Sequence, residues 1–93
     1  MTKSELIDLI SRRQHTIPAN DIELAVNLIL ETLTDALVND RRIEIRGFGA
    51  FTTRYRKPRV ARNPKTGAAV HLDAKRAIHF KPGKELKESV NNV

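Results

Sequence analysis

The chain has 93 residues, 17 Lys or Arg against 11 Asp or Glu, a formal net charge of +6, 40% hydrophobic residues and neither Cys nor Trp. A chain this short buries only about 60% of the surface it exposes when unfolded, so a self-sufficient monomeric core is marginal and association is expected. Lack of cysteine excludes disulfides, thiolate metal sites and a cysteine nucleophile, and it fits a reducing compartment.

Charge is unevenly placed. Residues 1–40 hold three cations against seven acids, whereas residues 41–65 hold nine cations against Glu44 alone. A merely solubilising face mixes both signs; a run this one-sided raises the local positive potential and is the footprint of a polyanion partner, nucleic acid above all. Lys3, Glu5 and Asp8 stand among the first apolar residues and Asn27 interrupts Leu24–Leu30, a pattern of neither signal peptide nor membrane span, so the expected location is cytoplasmic.

In chain order, Thr2 followed by Glu5 has capping-box spacing, and Leu6, Ile7, Leu9 and Ile10 then share one helical face, which predicts a helix from Lys3 to Gln14. Pro18 in a first turn, with Asp21 and Glu23 at the positive dipole end, predicts a second helix ending near Asn39. Its stripe of Ile22, Ala25, Val26, Ile29, Leu30, Leu33, Ala36 and Leu37 is roughly 140° wide. Leu24 and Leu28 lie beside that stripe, to be covered either by a second chain or by the sheet or terminal helix of the same chain.

After Asp40 the period changes to two. Residues 41–46 and 49–56 read as a hairpin joined through Gly47-Phe48-Gly49. Residues 57–73, with Pro58, Pro64, Gly67 and few large apolar side chains, cannot build a core and read as an arm. Its tip has Pro to fix φ and Gly for a positive φ, and two extended legs of about eight residues would reach roughly 25 Å. Ala77, Ile78 and Phe80 suggest a third body strand, and Pro82-Gly83 opens a terminal helix with Leu86 and Val90 facing inward. Phe48, Phe51 and Phe80 read as core residues before they read as base-stacking platforms. His15, His71 and His79 lack metal-ligand spacing, the glycines lack the Lys-Ser or Lys-Thr of a phosphate loop, and no nucleophile is paired with a base, so neither an enzyme nor a cofactor is expected.

Three motifs carry a resemblance: Arg42-Ile43-Glu44-Ile45-Arg46-Gly47-Phe48-Gly49-Ala50-Phe51, Arg59-Val60-Ala61-Arg62-Asn63-Pro64-Lys65-Thr66-Gly67, and His79-Phe80-Lys81-Pro82-Gly83-Lys84-Glu85-Leu86. Across essentially its whole length the chain resembles the bacterial integration host factor/HU family. Glu44 with Arg46, and the run from His79, are more similar to the beta-subunit branch of integration host factor than to HU. The resemblance implies an α+β fold in one histone-like DNA-bending domain spanning residues 1–93. Residues 1–40 would form a helical hairpin for dimerisation, and residues 41–81 a three-stranded antiparallel sheet with a long protruding β-ribbon arm at about 57–73. Residues 82–93 would form a short C-terminal helix.

It further implies an intertwined dimer, either a heterodimer with an alpha subunit or a homodimer, whose arms enter the minor groove of double-stranded DNA and bend it. Pro64 would be the intercalating wedge, a role compatible with setting the turn. Arg59, Arg62 and Lys65 would meet groove edges and phosphates, Arg54, Arg56, Lys57, Lys75, Arg76, Lys81 and Lys84 would contact phosphate, and Arg42 and Asn63 would also bind DNA. Arg46, held by Glu44 on a common strand face, would discriminate sequence, unless the two form only an ordinary surface ion pair. Ala61 stands where the family commonly has Gly, which limits the arm if that position needs a positive φ. A non-specific HU-like homodimer and a basic RNA-binding protein are the rival readings. Neither a membrane nor a small-molecule substrate is expected as a partner.

Overall fold

The computed structural model describes residues 1–92; Val93, the last residue of the expected C-terminal segment, lies outside the described residues. The elements are α1 (Lys3–Arg13), α2 (Ala19–Val38), β1 (Ile43–Ile45), β2 (Gly49–Arg56), β3 (Arg59–Arg62), β4 (Ala69–Leu72), β5 (Lys75–Pro82) and α3 (Lys84–Asn91). They divide into two compact units, Met1–Asp35 and the chain from Ala36 onward.

In the first unit Thr2 caps α1 as its spacing predicts, its Oγ1 accepting the Glu5 N–H at 3.2 Å. The helix stops one residue before Gln14, which turns to extended backbone and uses its side chain on the connection instead. Gln14 Oε1 accepts the N–H groups of Thr16 and Ile17 at 3.1 and 2.8 Å, and Nε2 donates to the Ile17 carbonyl at 3.1 Å. Pro18 stands just ahead of α2 rather than inside it, and its carbonyl accepts from Asp21 and Ile22. Ile22 and Val26 are buried and Leu33 is half-buried, so the stripe is real but narrower than its width in sequence. Leu9 and Ile10 of α1 are exposed, and Leu24 and Leu28 of α2 stand 67% and 63% open to solvent. Both leucines stand uncovered among the described residues, so the expected cover from the sheet or terminal helix of the same chain is not seen.

The second unit opens on the end of α2. The Asp40 N–H donates to the Leu37 carbonyl at 3.1 Å and the Arg41 N–H to the Ala36 carbonyl at 2.8 Å. This is a Schellman turn, with Asp40 at the left-handed position (φ 58°) that glycine usually fills. Strand β1 is shorter than the expected 41–46 because Arg46, Gly47 and Phe48 form the turn, closed by the Phe48 N–H on the Ile45 carbonyl at 2.9 Å.

Strands β1, β2 and β5 form an antiparallel sheet in that order, with Ile43 opposite Phe51, Phe51 opposite Phe80 and Arg56 opposite Lys75. Phe80 lies 4.6 Å from Phe51 and 5.6 Å from Phe48, centroid to centroid, so it packs against both. The expectation of three core rings holds only in part: Phe51 and Phe80 are half-buried, and Phe48, carried on the turn, is 44% exposed. Gly49 is required beneath them: a Cβ there would stand 2.7 Å from the Phe80 ring and 2.6 Å from the Lys81 carbonyl oxygen. The Gly83 N–H donates to the Phe48 carbonyl at 2.8 Å, fixing the start of α3 against this cluster. Leu86 is half-buried, but Val90 is 76% exposed. The expectation that both face inward therefore fails for Val90: helical spacing puts it on the same side as Leu86, yet it stands largely open to solvent among the described residues.

Strands β3 and β4 pair as a separate two-stranded ribbon, from Arg59 opposite Leu72 to Arg62 opposite Ala69. Its paired legs are four residues each, half the expected length. Pairing lapses at 57–58 and 73–74, where Pro58 has no N–H to give a ladder. Ala61 sits opposite Val70 with an ordinary strand conformation, since Asp40 is the only non-glycine residue with positive φ among those described. The substitution of Ala for Gly is thus tolerated there without backbone strain.

Candidate nucleic-acid interface

Alternation along paired strands decides which cations stand together. On β2 and β5 the register puts Arg54, Arg56, Lys75 and Lys81 on one face of the sheet, and Glu44 of β1 joins them opposite Ala50. Thr52 and His79, not among the expected contacts, share this face; their two-residue spacing from Arg54 and Lys81 was the available signal. Arg42, Glu44, Arg46, Lys81 and Lys84 line one shallow depression where the β1–β2 turn meets the start of α3. A second depression at the root of the ribbon is lined by Arg56, Lys57, Arg59 and Lys75, with Asp73 as its only acid. Four cations around one acid make both root and sheet face attractive to a polyanion.

The expected Glu44–Arg46 pair is not formed. Arg46 has left the strand for the turn, and Glu44 instead approaches Arg42, at 3.9 Å between exposed side chains. Such a pair contributes about 0–1 kcal/mol. Lys84 is similarly engaged with Glu88 one turn along α3, at 3.9 Å.

The ribbon places its charges differently. Arg59 shares a face with Ala61, Val70 and Leu72, while Arg62 shares the other with Val60, His71 and Ala69, so positive charge stands on both sides. The tip is organised by Asn63: its Oδ1 accepts the Lys65 N–H at 2.9 Å, its carbonyl accepts from Gly67 at 2.7 Å, and its N–H donates to Ala68 at 2.9 Å. Gly67 takes the positive φ of 72° that the turn needs, and Pro64 is exposed at the tip. Arg62 Nη1 reaches the Gly67 carbonyl at 3.4 Å.

Arg76 is not brought to these cations. It is opposite Tyr55 on the Phe51–Phe80 face. There its guanidinium donates to the carbonyls of Val38 and Leu37, both at 3.1 Å, and to Thr53 Oγ1 at 3.2 Å. Asp40 lies 3.4 Å from it and also accepts from the Thr53 hydroxyl. The Thr53 hydrogen bond and the Arg76 charge hold the Asp40 carboxyl below its ordinary value of 3.8.

Among the described residues no cluster of His, Cys, Asp and Glu could hold a metal ion, and no helix is long and apolar enough to cross a membrane. A cationic sheet face with a cationic two-stranded ribbon, following a helical pair in the sequence, is the construction of an architectural DNA-binding protein. Residues 1–91 match the family described as bacterial DNA-binding protein. The integration host factor subunit beta of Teredinibacter turnerae is 59% identical over 91 residues, covering 98% of this chain and 93% of that protein. That of Marinomonas sp. (strain MWYL1) is 57% identical over 91 residues, covering 98% and 89%. Among solved structures, the Anabaena HU–DNA cocrystal matches with a TM-score of 0.82 at 32% identity, covering 97% of each chain. HU from Thermotoga maritima matches at 0.65 and 32%, covering 97% of this chain and 98% of that one. The chain belongs to the bacterial DNA-binding protein family of integration host factor and HU.

Proposed function

We propose that this chain is one subunit of a dimer that grips double-stranded DNA, lays its two ribbons in the minor groove and bends the duplex by seating Pro64 between base pairs. The observation that carries the reading is the ribbon: Arg59, Arg62 and Lys65 lead to an exposed proline, and residues 57–72 contain no acid. Charge on both ribbon faces suits a groove with a phosphate wall on either side. A proline ring supplies a rigid apolar wedge with no N–H to desolvate, and unstacking a step is offset by the added contacts of a bent duplex.

Roles divide by position. Arg54, Arg56, Lys57, Lys75, Lys81 and Lys84 neutralise phosphates and set the register of the protein on the duplex. Arg59, Arg62 and Lys65 meet the groove, Asn63 shapes the tip, and Arg46 of the β1–β2 turn, with Arg42 and Glu44 lining the same depression, reads the site. Residues 1–93 act as one DNA-bending domain in the bacterial nucleoid, without catalysis. The level of identity to beta subunits supports a heterodimer with a homologous alpha subunit. The engagement of Glu44 with Arg42 in place of Arg46 favours a second reading, an HU-like homodimer with little sequence preference.

The test measures binding to a site-containing and a random duplex of equal length across a salt series, with fluorophores on the DNA ends. Steep salt dependence, end-to-end shortening and site preference support the first reading. Shortening without preference, even with an alpha-type partner added, supports the HU-like one. Stronger binding to structured RNA than to duplex DNA, or duplex binding with no shortening, removes the bending assignment.

A further inference from the structure

Every other cation of β2 and β5 belongs to one face of the sheet; Arg76 belongs to the opposite one. Its guanidinium is held by three hydrogen bonds: Nη1 on the Val38 carbonyl, Nη2 on the Leu37 carbonyl and Thr53 Oγ1, with Asp40 beside it. Two independent features explain the arrangement. The Schellman turn satisfies the carbonyls of Ala36 and Leu37, and Arg76 takes the next one, that of Val38. Helix α2 also has no basic residue in its last turn, so Arg76 brings from β5 the positive charge that the negative end of the helix dipole favours.

Asp40 completes the cluster. It occupies the left-handed position of the turn, and its carboxylate is met by both Thr53 of β2 and Arg76 of β5. Arg76 is one residue from Lys75, where the β2–β5 ladder ends and the chain passes into the ribbon. We propose that Arg76 is a positioning residue, a helix-capping clamp that ties the roots of β2 and β5 to the last turn of α2 and so sets the base from which the ribbon extends. It is therefore not one of the phosphate contacts. Its three hydrogen bonds all point to the end of α2 and to Thr53, on the face of the sheet opposite Arg54, Arg56, Lys75 and Lys81, which directs the guanidinium away from the cations proposed to meet phosphate.

The consequence for DNA rests on the bending reading above; the clamp itself does not. The experiment uses the full chain in its dimeric form and the variants Arg76→Ala and Arg76→Lys. It combines thermal unfolding, the salt dependence of duplex binding, and the end-to-end distance of a saturated, end-labelled duplex at a temperature where each variant is folded. Arg76→Ala is expected to lower the unfolding midpoint and to lessen and broaden the end-to-end shortening, with the slope of log K against log salt unchanged. Arg76→Lys is expected to restore neither, because one ammonium cannot fork across two carbonyls. A slope shallower by about one in Arg76→Ala, recovered in Arg76→Lys, identifies a phosphate contact and overturns the proposal. An unchanged midpoint overturns the clamp, and a lowered midpoint with unchanged shortening overturns the positioning role. If the wild-type chain binds no duplex, the bending reading and the positioning role fall, and the midpoints still decide the clamp.

Discussion

Helix α2 and the β2–β5 sheet both leave large surfaces open, but of opposite chemistry. On α2 the open residues are Leu24, Leu28 and Ile29, while one face of the sheet offers Arg54, Arg56, Lys75 and Lys81. The other face of the sheet resembles α2 rather than its own reverse side: Tyr55 is exposed there, and Ile78 is 67% exposed. Solvated cations are stable as they stand and become a site when a polyanion arrives. Solvated leucines are a missing contact, since burying each is worth about 1.5–3 kcal/mol. On the function proposed above, the difference separates two partners: a second protein chain for the apolar surfaces, and DNA for the cationic one.

That separation is broken most severely by a charge on the apolar side. Leu28→Glu is expected to abolish the dimer and, with so little buried in one chain, most of the folded structure; sedimentation and circular dichroism read both. A folded, dimeric Leu28→Glu protein would mean that α2 is not an interface. Pro64→Ala is expected to act only on the other side. It should leave folding and dimerisation intact, remove most of the end-to-end shortening and weaken duplex binding about tenfold, the loss of roughly 1.4 kcal/mol. Arg62→Ala should be milder, lowering the salt slope by about one with bending largely kept. An Arg62→Ala protein with an unchanged slope would place that ribbon face away from phosphate.

Much of this was legible in the sequence because it depends on local chemistry. Thr2 and Glu5 announced the start of α1, the change of period after Asp40 announced the sheet, and Pro64 with Gly67 announced the ribbon tip. What escaped depends on parity and register. Lys75 and Arg76 are adjacent cations of equal appearance in a sequence, yet one strand residue puts Lys75 on the cationic face of the sheet and Arg76 on the opposite one, against the end of α2. Period two likewise put Glu44 and Arg46 together, until the turn took Arg46 off the strand. Asp40 gave no warning, because the left-handed end of a Schellman turn is normally read from a glycine.

The smallest expected effect sharpens the comparison within the sheet, by testing whether Asp40 serves the clamp or merely tolerates it. Its carboxyl is held below 3.8 in the folded chain, first by the Thr53 hydroxyl and then by Arg76. A depressed folded value means that the ionised form stabilises the native state above the ordinary value, and that this contribution drains away as the pH falls through the folded one. Asp40→Asn keeps the shape and a residue type at ease in the left-handed region, but it cannot ionise. Wild type is therefore expected to be the more stable of the two at neutral pH, with the difference shrinking as the pH falls below 3.8. Because the pair is exposed, added salt should reduce the gap as well. Equal stabilities at neutral pH and low salt would show that the clamp rests on the helix carbonyls alone. A gap that persists unchanged into acid would instead assign the Asp40 contribution to hydrogen-bond geometry rather than to charge.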